Sequence, residues 1–114
     1  MRIQPVVEGH GEVRALPVLL RRLSDASGVH DLEFSRPIRR KRSELVNEEP
    51  LRRTIRLALL REECAGILIL FDADDDPPCE LGPRVQSWAS AEAAAVPCAV
   101  VMAMREYEAW LLVW

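Results

Sequence analysis

Acidic side chains follow three apolar segments of this chain, each at the point where the segment ends. They are Glu8 after IQPVV, Asp72 and Asp74 after GILILF, and Glu106 and Glu108 after PCAVVMAM. Carboxylates that share one site repel one another, so such a cluster is stable mainly when a cation is bound. Hard oxygen ligands of this type suit Mg²⁺ or Mn²⁺. The spacing therefore predicts a divalent metal site.

The segments that carry these acids alternate between strand and helix patterns. Strands are predicted at 3–7, 32–35, 66–71 and 97–104, and helices around 16–23, from 47, over 83–95 and from about 105 onwards. Pro17 is expected near the first turn of its helix. The alternation predicts a three-layer, Rossmann-like α/β domain with a mostly parallel sheet of about four strands flanked by helices. In such sheets ligands bind beyond the carboxyl ends of the strands, where all three acidic groups are expected.

The acidic run after GILILF also fits roles that need no metal. Aspartates after a strand form turns or cap helices, and this is the interpretation we favour for Asp75 and Asp76. A calcium loop that starts at Asp72 would place prolines where Gly and Glu are needed, and no GxxxxGK[ST] loop is present. A phosphatase with an aspartyl nucleophile is closer, although Asp76 stands where its motif has Thr or Val.

Length and composition predict one domain over residues 1–114. The chain is 49% apolar and 29% charged, the balance of a folded globular protein. It has no apolar run of the roughly 18 residues that a membrane span needs and no signal peptide pattern, so we expect a cytoplasmic location. The apolar ending EAWLLVW predicts a longer parent protein and a C-terminal apolar helix through which copies self-associate. The three cysteines have no CxxC spacing and are assigned no function.

A basic segment and a glycine-flanked histidine are further candidates. The basic residues are Arg36, Arg39, Arg40, Lys41 and Arg42. They would either bind a nucleic-acid backbone or form a solvated loop that balances nearby acids, and both interpretations stay open. Gly9 and Gly11 are expected to support the site through positive φ or close approach to phosphate, while His10 is more often incidental in such a turn. Arg52, Arg53 and Arg56 are expected on the solvent-exposed face of the helix that starts at 47.

The segments VVEGHGE, ILILFDADDDPP and MAMREYEAW, in this order, resemble the Toprim-type fold of topoisomerases, primases and OLD-family nucleases. More closely, they resemble a bacterial Toprim-like family of unknown function (domain of unknown function 4276). The resemblance implies that Glu8 is a catalytic acid or base and that Asp72 and Asp74 bind metal. It makes Glu106 and Glu108 candidates for further acids. Related nucleases also use a basic residue from a later segment. No lysine follows Lys41, so this component is either missing or lies beyond Trp114.

Two functions follow from this resemblance. The first is Mg²⁺-dependent phosphoryl transfer of nuclease type on nucleic acid. In this reaction the metal ion lowers the pKa of the attacking water, and Glu8 accepts or donates a proton. The alternative is a non-catalytic Toprim-like module that binds a partner or nucleic acid in a bacterial defence or DNA-processing system.

Overall fold

A computed structural model of the chain describes residues 2–8, 10–28, 31–61, 63–72, 78–94, 96–104 and 109–113. Its strands are β1 (Arg2–Val7), β2 (Glu33–Phe34), β3 (Ile38–Arg39), β4 (Cys64–Asp72), β5 (Cys98–Met104) and β6 (Ala109–Val113). Its helices are α1 (His10–Ser27), α2 (Arg42–Leu45), α3 (Glu48–Leu59) and α4 (Pro78–Ala93). Within the described part of the chain, none of these helices is long and apolar enough to cross a membrane.

The strands form one sheet in the order β2-β1-β4-β5-β6, and β3 pairs with β1 beyond the end of β2. All pairs are parallel except β5 with β6. The predicted fold class, an α/β domain with a mostly parallel sheet and flanking helices, is confirmed. In the described part of the chain the sheet has two more strands than predicted, because β3 and β6 each add to an edge.

Strand β4 lies at the centre because both of its faces are apolar. Ile67, Ile69 and Phe71 face the larger hydrophobic cluster, and Leu68 and Leu70 face the smaller one. All five side chains are buried. A strand covered on both faces needs no polar alternation, which explains the unbroken apolar run in the sequence.

The helices cover the two faces of the sheet unequally. The larger cluster takes Leu51 and Ile55 from α3 and Val85 from α4. The smaller cluster takes Leu16 and Leu19 from α1. The sheet is thus the middle of three layers, and we refer below to its α3 face and its α1 face.

Helix α1 starts earlier than the sequence predicts. It begins at His10, so Pro17 lies in its interior rather than near its first turn. Proline in a helix removes one backbone hydrogen bond and crowds the preceding turn. The Pro17 side chain is exposed, and the neighbouring Leu16 and Leu19 pack in the core and hold the helix against the sheet.

The prediction of a C-terminal apolar helix is wrong. Ala109–Val113 is a strand, and it pairs antiparallel with β5 from Val100 opposite Val113 to Met104 opposite Ala109. A parallel strand needs a crossover of about a dozen residues, whereas only four separate β5 from β6 in the sequence. Self-association through an unfinished helix therefore loses its structural basis.

Candidate active site

The carboxyl ends of β1 and β4 lie side by side. The two strands are parallel neighbours, and their register pairs Val7 with Leu70. Glu8 follows the last residue of β1, and Asp72 is the last residue of β4. The structure thus brings the backbones of Glu8 and Asp72, far apart in sequence, to the same edge of the sheet. The side chain of Asp72 lies outside the described part of the structure.

The backbone of Glu8 is hydrogen-bonded to β4. Its N–H donates a hydrogen bond of 3.2 Å to the carbonyl of Leu70. The register of the two strands ends with Val7 opposite Leu70, and Glu8 lies in a bend directly after it. The half-buried Glu8 therefore lies beside the end of β4.

The remaining predicted metal ligands are not placed by the structure. Asp74, Glu106 and Glu108 lie outside the described residues, as does Gly9. Among the side chains that are described, no group of three or more His, Cys, Asp or Glu residues could hold a metal ion. The complete ligand set stays a prediction, and the neighbouring backbones of Glu8 and Asp72 are its structural basis.

Gly11 lies in the first turn of α1. A helical backbone has negative φ, so of the two roles predicted for Gly11 only close approach to a ligand is left as a prediction. His10 is the first residue of the same helix, and its side chain lies outside the described part.

The basic segment reaches the same edge of the sheet through β3. Ile38 pairs with Val6 and Arg39 with Val7, and the backbone N–H of Arg40 donates to the carbonyl of Val7 at 2.9 Å. The chain from Arg40 onwards therefore leaves the sheet directly beside Glu8. The acidic and basic groups, which are separate features of the sequence, lie at one edge in the fold.

Arg40 is held by several groups of the protein. Its Nε donates to Oγ1 of Thr54 at 3.3 Å and its Nη1 donates to the carbonyl of Arg39 at 3.1 Å. Its Nε also lies 3.8 Å from the carboxylate of Glu44. Thr54 is buried in α3 and donates in turn to the carbonyl of Pro50. Arg40 therefore ties the basic segment to α3.

Arg42 lies over the ring of Phe71. Its guanidinium carbon is 5.7 Å from the ring centroid, within the distance of a cation–π contact. Phe71 directly precedes Asp72, so Arg42 also lies at the edge of the sheet where the parallel strands β1, β3 and β4 end, which we call the carboxyl edge. The ring is a part of the site that the sequence did not predict, because Phe71 looks like any other core residue of an apolar strand.

Two arginines of α3 form a separate network of ion pairs with acidic residues of α3 and α4, as expected for a solvent-exposed face of a helix. Arg52 pairs with Glu48 at 2.9 Å and with Glu92 at 3.6 Å, and Arg56 lies 3.4 Å from Glu92. The hydrogen bond that Arg52 donates to the Glu48 carboxylate raises the pKa of Arg52 above its ordinary value, so this arginine stays charged. Ion pairs that are open to solvent contribute little to stability. Because these residues lie away from the candidate site, they can be substituted in control variants.

Cys98 at the start of β5 is predicted to be unreactive in the folded protein. Burial raises the pKa of its thiol to about 12, and the neighbouring Cys64 adds to the shift. At pH 8 roughly one molecule in 10,000 would carry the reactive thiolate. We expect iodoacetamide to leave Cys98 unmodified in the native protein and to modify it fully in urea, as measured by peptide mass spectrometry.

The same shift predicts lower stability at alkaline pH. Because the folded-state pKa of Cys98 lies above the ordinary thiol value, folding favours the protonated form. Its contribution to stability is complete below about pH 8.5 and is lost as the pH rises towards 12. Rapid native alkylation of Cys98 at pH 8 would contradict both expectations.

Comparison of the chain with protein families, characterised proteins and solved structures gave no match. The Toprim-like resemblance therefore stays a prediction from the sequence motifs. The structural support for a function is the neighbouring position of Glu8 and Asp72 at the carboxyl ends of β1 and β4.

Proposed function

We propose that this chain carries out Mg²⁺-dependent phosphoryl transfer of nuclease type on nucleic acid, in the cytoplasm. The observation that supports the proposal is the parallel pairing of β1 with β4, which brings Glu8 and Asp72 to one edge of the sheet. This is the edge at which parallel α/β sheets bind ligands. Basic residues at the same edge supply charge that would attract a polyanion.

The donor groups fit a hard divalent cation. Asp72, together with the predicted ligands Asp74, Glu106 and Glu108, offers only carboxylate oxygens, which Mg²⁺ and Mn²⁺ prefer. When bound, the metal would neutralise phosphodiester charge and lower the pKa of an attacking water.

Glu8 would act on a proton in this scheme. Glu8 is a half-buried residue, and it lies at the strand end beside Asp72 rather than in the interior of the sheet. A partly solvated carboxylate can accept a proton from water and return it to solvent, as a general base must do. Glu8 lies at the end of β1, which has β3 on one side and β4 on the other, and this position would suit a group that works on a bound phosphate.

A second candidate function is a non-catalytic Toprim-like module that binds nucleic acid or a partner in a bacterial defence or DNA-processing system. One observation favours it. Nucleases that the chain resembles use a basic residue from a later segment, and residues 42–114 contain no lysine.

Metal-dependent stability and cleavage test the proposal together. We expect Mg²⁺ or Mn²⁺ to stabilise the wild-type chain, by about 2.7 kcal/mol at a concentration about 100 times Kd, and to support cleavage of DNA or RNA. Asp72→Asn should lose both effects, because it removes a charged ligand at the end of β4. The measurements are thermal unfolding at several metal concentrations and gel assays with supercoiled and single-stranded substrates.

Asp25→Asn is the matched control. Asp25 is exposed near the end of α1, and α1 starts at the carboxyl edge and leads away from it. This variant should respond to metal as the wild type does. Equal metal stabilisation of Asp72→Asn and wild type would overturn the metal site. Metal binding without cleavage of any substrate would favour the second candidate function.

A further inference from the structure

The five basic residues between positions 36 and 42 do not form one surface. Arg40 and Arg42 are held by contacts within the protein, Arg40 through α3 and Arg42 at the ring of Phe71. The other three side chains are exposed, and in the described part of the chain none of them forms an ion pair. We call these three the outer basic group, and they are Arg36, Arg39 and Lys41.

The outer basic group lies on a segment that is fixed to β1. The backbone N–H of Ser35 donates to the carbonyl of Ile3 at 2.9 Å. Nε2 of the buried Gln4 donates to the carbonyl of Arg36, also at 2.9 Å. The pairing of β3 with β1 holds the segment at its other end. The backbone of the group is therefore preorganised, so binding a ligand costs less conformational entropy than it would on a free loop.

Arg39 and Lys41 project away from α3. Arg39 pairs with Val7, which packs in the smaller cluster on the α1 face, and opposed residues project to the same face of a sheet. Arg40, between them, takes the other side and reaches Thr54 of α3. The backbone of Lys41 is extended, with φ −68° and ψ 153°, so Arg39 and Lys41 share one side about 6.6 Å apart along the chain.

We infer that the outer basic group binds the sugar–phosphate backbone of the nucleic-acid substrate along the edge of the sheet formed by β2 and β3. This inference deepens the proposed function and depends on it for the reaction that follows binding. The segment that carries the group runs beside β1 towards the carboxyl end of that strand, which Glu8 follows. A nucleic-acid strand bound there is led to the candidate active site.

The arrangement of the charges fits a polymer better than a small anion. The three side chains are spread over the six positions 36–41, so each can neutralise a different phosphate and release the counterions of that phosphate. Nucleic acid offers one negative charge on each nucleotide, in a line. Contacts of this kind do not read bases, so we expect binding that depends strongly on salt and little on sequence.

Binding of a fluorescein-labelled single-stranded oligodeoxynucleotide, measured by anisotropy in EDTA at several salt concentrations, tests the inference without cleavage. The double variant Arg39→Gln/Lys41→Gln should weaken binding by about 10- to 30-fold at about 0.1 M salt. It should also reduce the slope of log K against log salt concentration by about 1.4, because each phosphate contact to a single strand contributes about 0.7. Arg36→Gln removes one contact, and we expect a loss of about fivefold.

Arg56→Gln/Arg61→Gln is the matched control, since it also removes two exposed positive charges. Arg56 lies beside Glu92 of α4, and Arg61 follows the end of α3, so neither belongs to the edge formed by β2 and β3. This variant should keep the wild-type salt slope and lose less than about threefold in affinity. Arg39→Lys keeps the charge and should bind within about threefold of wild type. Circular dichroism of each variant verifies that it is folded.

Two results would overturn the inference. Equal losses for the two double variants would show a diffuse positive surface. A wild-type chain that does not bind the oligodeoxynucleotide at about 0.05 M salt, where such contacts are strong, would show that the outer basic group has no such ligand.

The outcomes separate this inference from the proposed function. If the wild type cleaves nucleic acid with metal while Arg39→Gln/Lys41→Gln binds normally, only the role of the outer basic group is wrong. If the wild type never cleaves but its binding depends on this group, the inference stands and the enzyme proposal fails.

Discussion

Replacement of Glu8 by glutamine is expected to lower the rate of metal-dependent cleavage by about 10²- to 10⁴-fold, the usual contribution of a general acid or base. Glutamine has nearly the same shape and can make hydrogen bonds at the strand end, but it cannot take up a proton. The loss should appear in kcat, because Glu8 is proposed to act on a proton rather than to hold the substrate. Single-turnover cleavage rates of the two proteins provide the measurement.

Glu48→Gln is the control for the change in charge. Glu48 pairs with Arg52 on an exposed part of α3, away from the carboxyl edge, and its loss should cost under about 1 kcal/mol of stability. Cleavage by this variant should match the wild type. If Glu8→Gln cleaves as fast as Glu48→Gln, Glu8 takes no part in proton transfer, and the carboxylates at this edge serve binding alone.

The fold could be predicted from the sequence because its central elements carry strong local signals. The unbroken run GILILF is typical of a strand covered on both faces, and Leu16 and Leu19 mark the buried side of α1. Once the alternation of strands and helices is known, parallel pairing with right-handed crossovers follows. That step also places Glu8 and Asp72 at one edge, which is why the backbone positions of this acidic pair agree with expectation.

The parts that the sequence did not predict depend on contacts between distant segments. Strand β3 has two residues, and it exists because Ile38 and Arg39 pair with β1. No local pattern indicates such a strand, so the position of Arg40 beside the end of β1 could not be predicted. The short apolar run in β6 fits a helix or a strand equally well, and its pairing with β5 decides between them.

Gln86 is the polar residue whose loss is expected to destabilise the fold most. It is buried in α4, where its Nε2 donates to the carbonyl of Cys98 at 2.7 Å and to Oγ of Ser90. Its Oε1 accepts the backbone N–H of Val100 at 3.1 Å. The side chain thus joins α4 to the backbone of β5 on the α3 face of the sheet.

The substitution Gln86→Leu keeps the side-chain volume but leaves the carbonyl of Cys98 and the N–H of Val100 without the Gln86 side chain as a partner. Each buried group left unsatisfied costs about 1–3 kcal/mol of stability. We expect a loss of about 2–4 kcal/mol in the free energy of unfolding, measured by urea titration. Ser87→Ala, at the exposed neighbouring position, should change it by less than about 0.5 kcal/mol. Similar stabilities of the two variants would show that the contacts of Gln86 are dispensable.

Gln86→Glu turns the same contacts into a pH-dependent test. An ionised carboxylate can still accept from Val100, but it cannot donate to the carbonyl of Cys98, whereas the protonated form can do both. Burial should raise the pKa of the introduced carboxyl above its usual value of about 4.3. Because folding then favours the protonated form, the variant should be closest to wild type below about pH 4 and lose stability as the pH rises. A difference from wild type that does not vary between about pH 4 and pH 8 would mean that the carboxyl leaves the strand and reaches solvent.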